Sequence, residues 1–178
     1  NQSRDVEYLK QHRDLLLKHI DRITGIIQMM LSIAKEKARQ EIDIDLNEII
    51  DSSLQLVPIS RVKLVKDLEL VPLIKGDPIE IEEVFVNLIQ NAIQAMPEGG
   101  ILKIRTYIDE GRAVAEVSDT GKGIPAEIRE KIFDPFFSTR HEGVGLGLSI
   151  AYRIIREHGG DIRVSSEEGK GTIFKLLF

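Results

Sequence analysis

The stretch Ala113-Val114-Ala115-Glu116-Val117 runs straight into Asp119-Thr120-Gly121-Lys122-Gly123, and this junction constrains the chain more than any other. The first part reads as an alternating strand. The second puts a carboxylate at the strand end, followed by two glycines one residue apart. Glycine lets backbone come close to a flat ligand edge, and the carboxylate offers that edge a hydrogen-bond acceptor. Asp and Gly also make ordinary turns, so the other stretches of the chain must decide between the two readings.

A chain of 178 residues, 42% hydrophobic and 30% charged, suits one good core with an added arm. Lys and Arg number 24 against 29 Asp and Glu, a net charge of −5, and this balance argues against a nucleic-acid partner. The absence of Cys excludes disulfides, thiolate metal sites and a cysteine nucleophile, and it suits a cytoplasmic location. No apolar run approaches the roughly 18 residues that would span a bilayer, and no signal peptide is visible. The first residue is Asn1, so we expect a piece of a longer protein, one whose whole is either soluble or membrane-anchored.

Residues 1–41 read as one long helix, with Gly25 its single weak point. Leu9, Leu16, Ile20, Ile23, Ile27, Met30 and Ala34 form one stripe, spaced alternately by four and three from Leu16 onward. That spacing is the seam of a coiled coil or bundle, which points to self-association. Beyond it, Ile42 and Ile44 suggest a short strand, Leu46 to Val57 a helix stopped by Pro58, and Val62 toward Glu69 and Val71 to Ile74 two more strands.

Asp77-Pro78 opens the next helix, Pro78 to Met96, with Asp77 as N-cap. Asn87, Asn91 and Gln94 fall on one side of it. Two asparagines one turn apart weaken a helix, a cost often offset by function. An amide oxygen is a fitting ligand for Mg²⁺, whose shell phosphates commonly complete; the plainer reading is two solvated amides. Ile101 to Ile108 and Arg112 to Ser118 form a hairpin, and Pro125 to Lys131 a short helix. The loop Phe133-Asp134-Pro135-Phe136-Phe137-Ser138-Thr139 reads as a hydrophobic plug or as the hinge of a lid. Gly143-Val144-Gly145-Leu146-Gly147-Leu148 then opens the helix Ser149 to His158, and a glycine-rich helix start is an anion site. Asp161 to Ser166 and Thr172 to Phe178 make a closing hairpin.

Taken in order, these stretches resemble the catalytic ATP-binding domain of sensor histidine kinases, within the superfamily shared with gyrase and mismatch-repair ATPases. The asparagine helix is similar to the family's N box, Asp119 to Gly123 to its G1 box, Phe133 to Phe137 to its F box and Gly143 to Gly147 to its G2 box. Gly169-Lys170-Gly171-Thr172 is similar to its last glycine box. Asn91 to Met96 with Gly99-Gly100, and Phe136 to Thr139, look most like the nitrogen-sensor subgroup. The likeness runs over about residues 43–178. It implies an α+β fold, a two-layer sandwich of a mixed sheet of about five strands covered by three helices and preceded by the long helix.

The resemblance also implies roles. Asp119 would accept from the adenine amino group, with Thr172 joining in and Gly121, Gly123 and Ile124 shaping the loop against the base. Asn91 would ligate Mg²⁺ bridging the phosphates of ATP, with Asn87 in support. Gly143, Gly145 and Gly147, with Leu146 and Leu148, would present amides to phosphate, and Phe136, Ser138, Thr139 and Arg140 would belong to the closing lid. Two departures stand out. The hydrolysing relatives carry a Glu one turn before the metal Asn, where this chain has Asn87, which cannot act as a base. Many of the kinases carry Lys or Arg where this chain has Gln94. The partners implied are ATP, a phosphoacceptor His helix on a missing segment, a response-regulator receiver domain and, in the full-length protein, a second copy of the chain. Neither His12, followed by Arg13 and Asp14, nor His19, followed by Ile20 and Asp21, matches the family's acceptor motif. Residues 1–41 look instead like the second helix of the dimerisation hairpin, with 42–178 the catalytic domain. His141 and His158 read as ordinary loop and helix-end residues. The resemblance implies a histidine kinase that passes the γ-phosphoryl of Mg-ATP to that missing His, and Asn87 favours this over hydrolysis; the alternatives are an ATP hydrolase and a module that senses nucleotide without transferring phosphate.

Overall fold

The computed structural model describes residues 41–139 and 144–178, together with His12, Arg13, Leu16, Ile20, Ile23 and Ile27. Those six are helical, and Leu16, Ile20, Ile23 and Ile27 are each at least half exposed. The rest of the long-helix expectation lies outside the described residues.

The core grows from α2 (Pro78–Ala95). Ile81, Val84, Phe85, Leu88, Ile89 and Ala92 recur at helical spacing and are all buried. The Asp77 carboxylate accepts from the Ile79 and Glu80 amides at 2.9 and 3.4 Å, and Pro78 opens the helix, where its missing N–H costs nothing. Helix α1 (Leu46–Leu56) is capped the same way by Asp45, which accepts from the Asn47 amide at 2.8 Å. Helix α3 spans Gly147–Glu157. α2 packs between α1 and α3.

These helices cover one face of a five-stranded sheet. Its strands are β2 (Val62–Leu68), β4 (Gly100–Asp109), β5 (Arg112–Asp119), β6 (Asp161–Glu167) and β7 (Gly171–Leu177), in the order β2-β4-β5-β7-β6. The β2–β4 pair is parallel and the others antiparallel, so the sheet is mixed, as expected. Leu102, Ile104, Val117, Phe174 and Leu176 point into the core. On the opposite face, Arg105 pairs with Asp67 at 3.0 Å, Lys175 with Asp109 at 2.8 Å, and the Tyr107 hydroxyl donates to Glu116 at 2.8 Å. Burial, more than the Glu116 contact, pushes the Tyr107 hydroxyl pKa up, and the bond to Asp109 holds that of Lys175 up.

The expected strand over Val71 to Ile74 forms further on, as β3 (Ile74–Gly76), antiparallel to β1 (Ile42–Ile44) in a separate two-stranded sheet. Ile74 and Gly76 are buried there; Leu73, before them, is 59% exposed. The expected helix over Pro125 to Lys131 is a 3₁₀ helix, Ala126–Lys131.

His158 is not a plain helix-end residue. Its side chain is buried at the C-cap of α3. Nδ1 lies 2.8 Å from the Ile154 carbonyl, so the ring donates there; Nε2 then accepts from the Asp77 amide at 3.1 Å. The ring thus joins the end of α3 to the start of α2, and it fits because Gly76 has no Cβ: one built there would lie 2.5 Å from His158 Cδ2. Replacing His158 with Ala strands the half-buried Asp77 N–H and opens a void. We expect it to cost about 2–3 kcal/mol in urea-induced unfolding; a midpoint equal to wild type would contradict the clamp.

Candidate functional site

Between the sheet and α2 and α3 lies a cavity of about 680 Å³, of a size that suits a small-molecule cofactor. Asp119, Thr172 and Phe174 line it from the sheet, Asn87, Asn91 and Gln94 from α2, and Gly147, Leu148 and Ile150 from α3.

Asp119 is the last residue of β5 and is only 8% exposed. Its Oδ1 accepts from the Gly121 amide at 2.8 Å, which fixes the carboxylate in an Asx turn. Thr172 is its register partner on β7, so the two polar groups stand side by side on one face. The glycines around them make this closeness possible. A Cβ on Gly121 would lie 2.5 Å from the Ala95 carbonyl oxygen, and Gly123, at φ +68°, packs against the Glu167 carbonyl. Gly171, at φ +107°, would drive a Cβ into the Asp119 carbonyl. Three segments distant in sequence therefore close on one another at this end of the cavity.

At the other end, α3 begins at Gly147, two residues earlier than the sequence suggests, because its glycine is absorbed into the first turn. Asp45 and Asp77 cap the other two helices, but no side chain among the described residues caps α3. Its first residues border the cavity, so the positive end of the helix faces it. Asn87 sits against this terminus: a Cβ on Gly147 would come within 2.8 Å of Asn87 Oδ1. Gly147→Ala should therefore separate stability from binding. The helix keeps or gains stability, by up to about 1 kcal/mol, because Ala is the better helix former. The displaced Asn87 amide should cost several-fold in anion or nucleotide affinity, read by calorimetry. Unchanged affinity would place Asn87 outside the binding machinery.

Of the residues singled out from the sequence, Asn87, Asn91, Gln94, Asp119, Gly123, Ile124, Ser138, Thr139, Gly145, Leu146, Gly147, Leu148 and Thr172 border the cavity. Gly121 acts from behind it, through its bond to Asp119. Phe136 does not line it; Phe137 does. Phe136 has φ +67°, an unusual backbone for a bulky residue; it is 43% exposed and donates its N–H to the Gly145 carbonyl at 2.9 Å. Arg140 and Gly143 lie outside the described residues. Sequence reasoning missed Glu83, Gln90, Lys122 and Glu168, which also border the cavity. Glu83 had a signal, since it falls two turns before Asn91 on the same side of α2.

The cavity fits Mg²⁺ in one way. Among the described residues no group of three or more His, Cys, Asp or Glu is placed to hold a metal. An ion here would find side-chain oxygens on α2, the Asn91 amide and the Glu83 carboxylate among them, with ligand oxygens and water for the rest, a usual arrangement for Mg²⁺.

The family model described as "Histidine kinase-, DNA gyrase B-, and HSP90-like ATPase" matches residues 76–178. Sporulation kinase C of Bacillus subtilis (strain 168) is 36% identical over 174 residues, covering 94% of this chain and 41% of that protein. The chain therefore spans about two-fifths of the length of that relative. Among solved structures, a mycobacterial sensor histidine kinase, MprB, matches with a TM-score of 0.70 at 31% identity, over 78% of this chain and 96% of that one. The histidine kinase ThkA in complex with the response regulator TrrA matches with a TM-score of 0.76 at 29% identity, over 96% of this chain and 51% of that one. No helix among the described residues is long and apolar enough to cross a membrane. The chain belongs to the histidine kinase-, DNA gyrase B- and HSP90-like ATPase family, and within it to the catalytic ATP-binding domains of sensor histidine kinases.

Proposed function

We propose that this chain transfers the γ-phosphoryl group of Mg-ATP to a His on a separate dimerisation helix, for relay to an Asp of a response regulator. One observation carries the reading: a buried carboxylate paired with a hydroxyl at one end of the cavity, and at the other the start of α3 beside Asn87, with Asn91 on the wall of the same cavity. The first suits the amino edge of adenine, the second a chain of phosphates.

Asn91 would hold Mg²⁺ through its amide oxygen, with Asn87 on the phosphate side. The bound ion neutralises phosphate charge as it builds in transfer. The chain's own part is to bind and orient: Asp119 and Thr172 fix the base, and the first amides of α3 receive phosphate. Ser138 and Thr139, at the cavity rim, would meet the phosphates from the lid. In this reading residues 1–41 are the second helix of the dimerisation hairpin and 42–178 the catalytic domain. The exposed Leu16, Ile20, Ile23 and Ile27 suit a seam that a second copy would cover. His12 lies on that helix and is not assigned as the acceptor.

A second reading, ATP hydrolysis, has Glu83 in its favour, since this carboxylate borders the same cavity. Asn87 counts against it, and Glu83 stands about 12 Å from Asn91 along the helix axis. The test uses Mg²⁺ and γ-labelled ATP, with label followed on protein and as free phosphate. Transfer only when a phosphoacceptor hairpin is added supports the kinase. Rapid release of phosphate, lost in Glu83→Gln, would establish the hydrolase. Acid-labile label on the chain itself would overturn the reading of His12 and His19.

A further inference from the structure

Three polar side chains stand in one row across three strands. Asp119 on β5 is the register partner of Thr172 on β7, and Thr172 is the partner of Ser166 on β6. Directly paired residues share a face of the sheet. The first two border the cavity, and Ser166 stands behind them.

The Ser166 hydroxyl has three neighbours. The Gly171 carbonyl lies at 2.8 Å, the Ile124 amide at 2.8 Å and Thr172 Oγ1 at 3.0 Å. A hydroxyl has one proton and two lone pairs. The carbonyl can only accept, so the Ser166 proton goes to Gly171. The Ile124 N–H can only donate, so it occupies one lone pair. The other lone pair takes the Thr172 proton. The reverse arrangement, with Ser166 donating to Thr172, would press two lone-pair-bearing oxygens together at the Gly171 contact. Arg129 Nη2 donates to the Ser166 carbonyl at 2.6 Å, so the strand end that carries this hydroxyl is itself tied to the 3₁₀ helix.

With its proton drawn away from the cavity, Thr172 has only lone pairs to offer a ligand, beside a carboxylate that also only accepts. We propose that Ser166 is a positioning residue that sets specificity: it makes the Asp119–Thr172 edge acceptor-only, and so selects a ring whose edge carries an amino group. This deepens the nucleotide reading above and rests on it.

The test compares calorimetric affinities for Mg-ATP and for purine riboside triphosphate, which carries hydrogen in place of the 6-amino group. Wild type should favour ATP by about tenfold or more, the order of one or two hydrogen bonds net of water. Ser166→Ala frees the Thr172 proton, and the preference should narrow about fivefold. Thr172→Val should narrow it too, and adding Ser166→Ala to Thr172→Val should narrow it no further. A purely structural role predicts equal weakening of both nucleotides in Ser166→Ala, and that result would overturn the proposal. So would a wild type with no preference, or further narrowing in the double variant. Should Ser166→Ala fail to fold, Thr172→Val decides alone: an unchanged preference there rejects the acceptor-only edge. Wild type binding neither nucleotide would remove the nucleotide reading itself, a separate outcome from losing the role of Ser166.

Discussion

Asn91→Ala should lower phosphoryl transfer to a supplied phosphoacceptor hairpin by about a hundredfold or more, close to 3 kcal/mol of transition-state stabilisation. The loss follows from what the cavity holds. Its wall along α2 presents the amides of Asn87, Gln90, Asn91 and Gln94 with a single carboxylate, Glu83, too few for an acidic metal cage, and Asn91 is the oxygen donor proposed for the ion. Phosphoryl transfer depends mainly on positioning and charge neutralisation, so one misplaced ion removes most of the rate. The fold should not suffer, because Ala is a better residue than Asn inside a helix. Thermal unfolding should stay level or rise, while ATP binding measured without Mg²⁺ stays near wild type. A variant that transfers phosphate at the wild-type rate would take Asn91 out of the chemistry.

Asp119→Asn should cost about a hundredfold in ATP affinity, for a different reason. The substitution keeps size and shape. The Gly121 N–H, 2.8 Å from Oδ1 in the native chain, keeps the amide oxygen, so the new NH₂ group falls where the other carboxylate oxygen stood. A donor then meets the donor of the adenine amino group, and both lose their partner at a position where the side chain is buried, a penalty of about 1–3 kcal/mol for each buried group. A 6-oxo purine presents an acceptor at that point, so GTP should lose far less than ATP, and the base preference should shift toward it. Calorimetry with the two nucleotides reads this directly. Equal losses for both would mean that Asp119 shapes the pocket without reading the base.

Much of this site was legible in the sequence because its parts are local. The Asp77-Pro78 start, the apolar repeat from Ile81 to Ala92 and the side shared by Asn87 and Asn91 all follow from helical spacing. The Asp119 turn follows from its two glycines. What the sequence hid depends on pairing across the chain. β1 finds its partner some thirty residues away in β3, and nothing between Val71 and Ile74 says which apolar residues face in. Ser166 matters because register sets it opposite Thr172, and register is not visible in either strand alone. His158 reads as a helix end until α3 brings it against the N-cap of α2. The exposure of Phe136, where a lid residue is expected, accompanies a positive φ that composition does not foretell.

In the proposed function, the cleft between the sheet and α2 and α3 holds Mg-ATP, with the base at Asp119 and the phosphates at Asn91. Amide resonances of the isotope-labelled chain, followed as a non-hydrolysable ATP analogue is added with Mg²⁺, test it most directly. Saturable shifts are expected at Asp119 to Gly123, at Thr172, and at Asn87, Asn91 and Gly147, with those of Asn87 and Asn91 depending on the metal. Shifts confined to the outer face of the sheet around Arg105 and Lys175, or none that saturate, would contradict it.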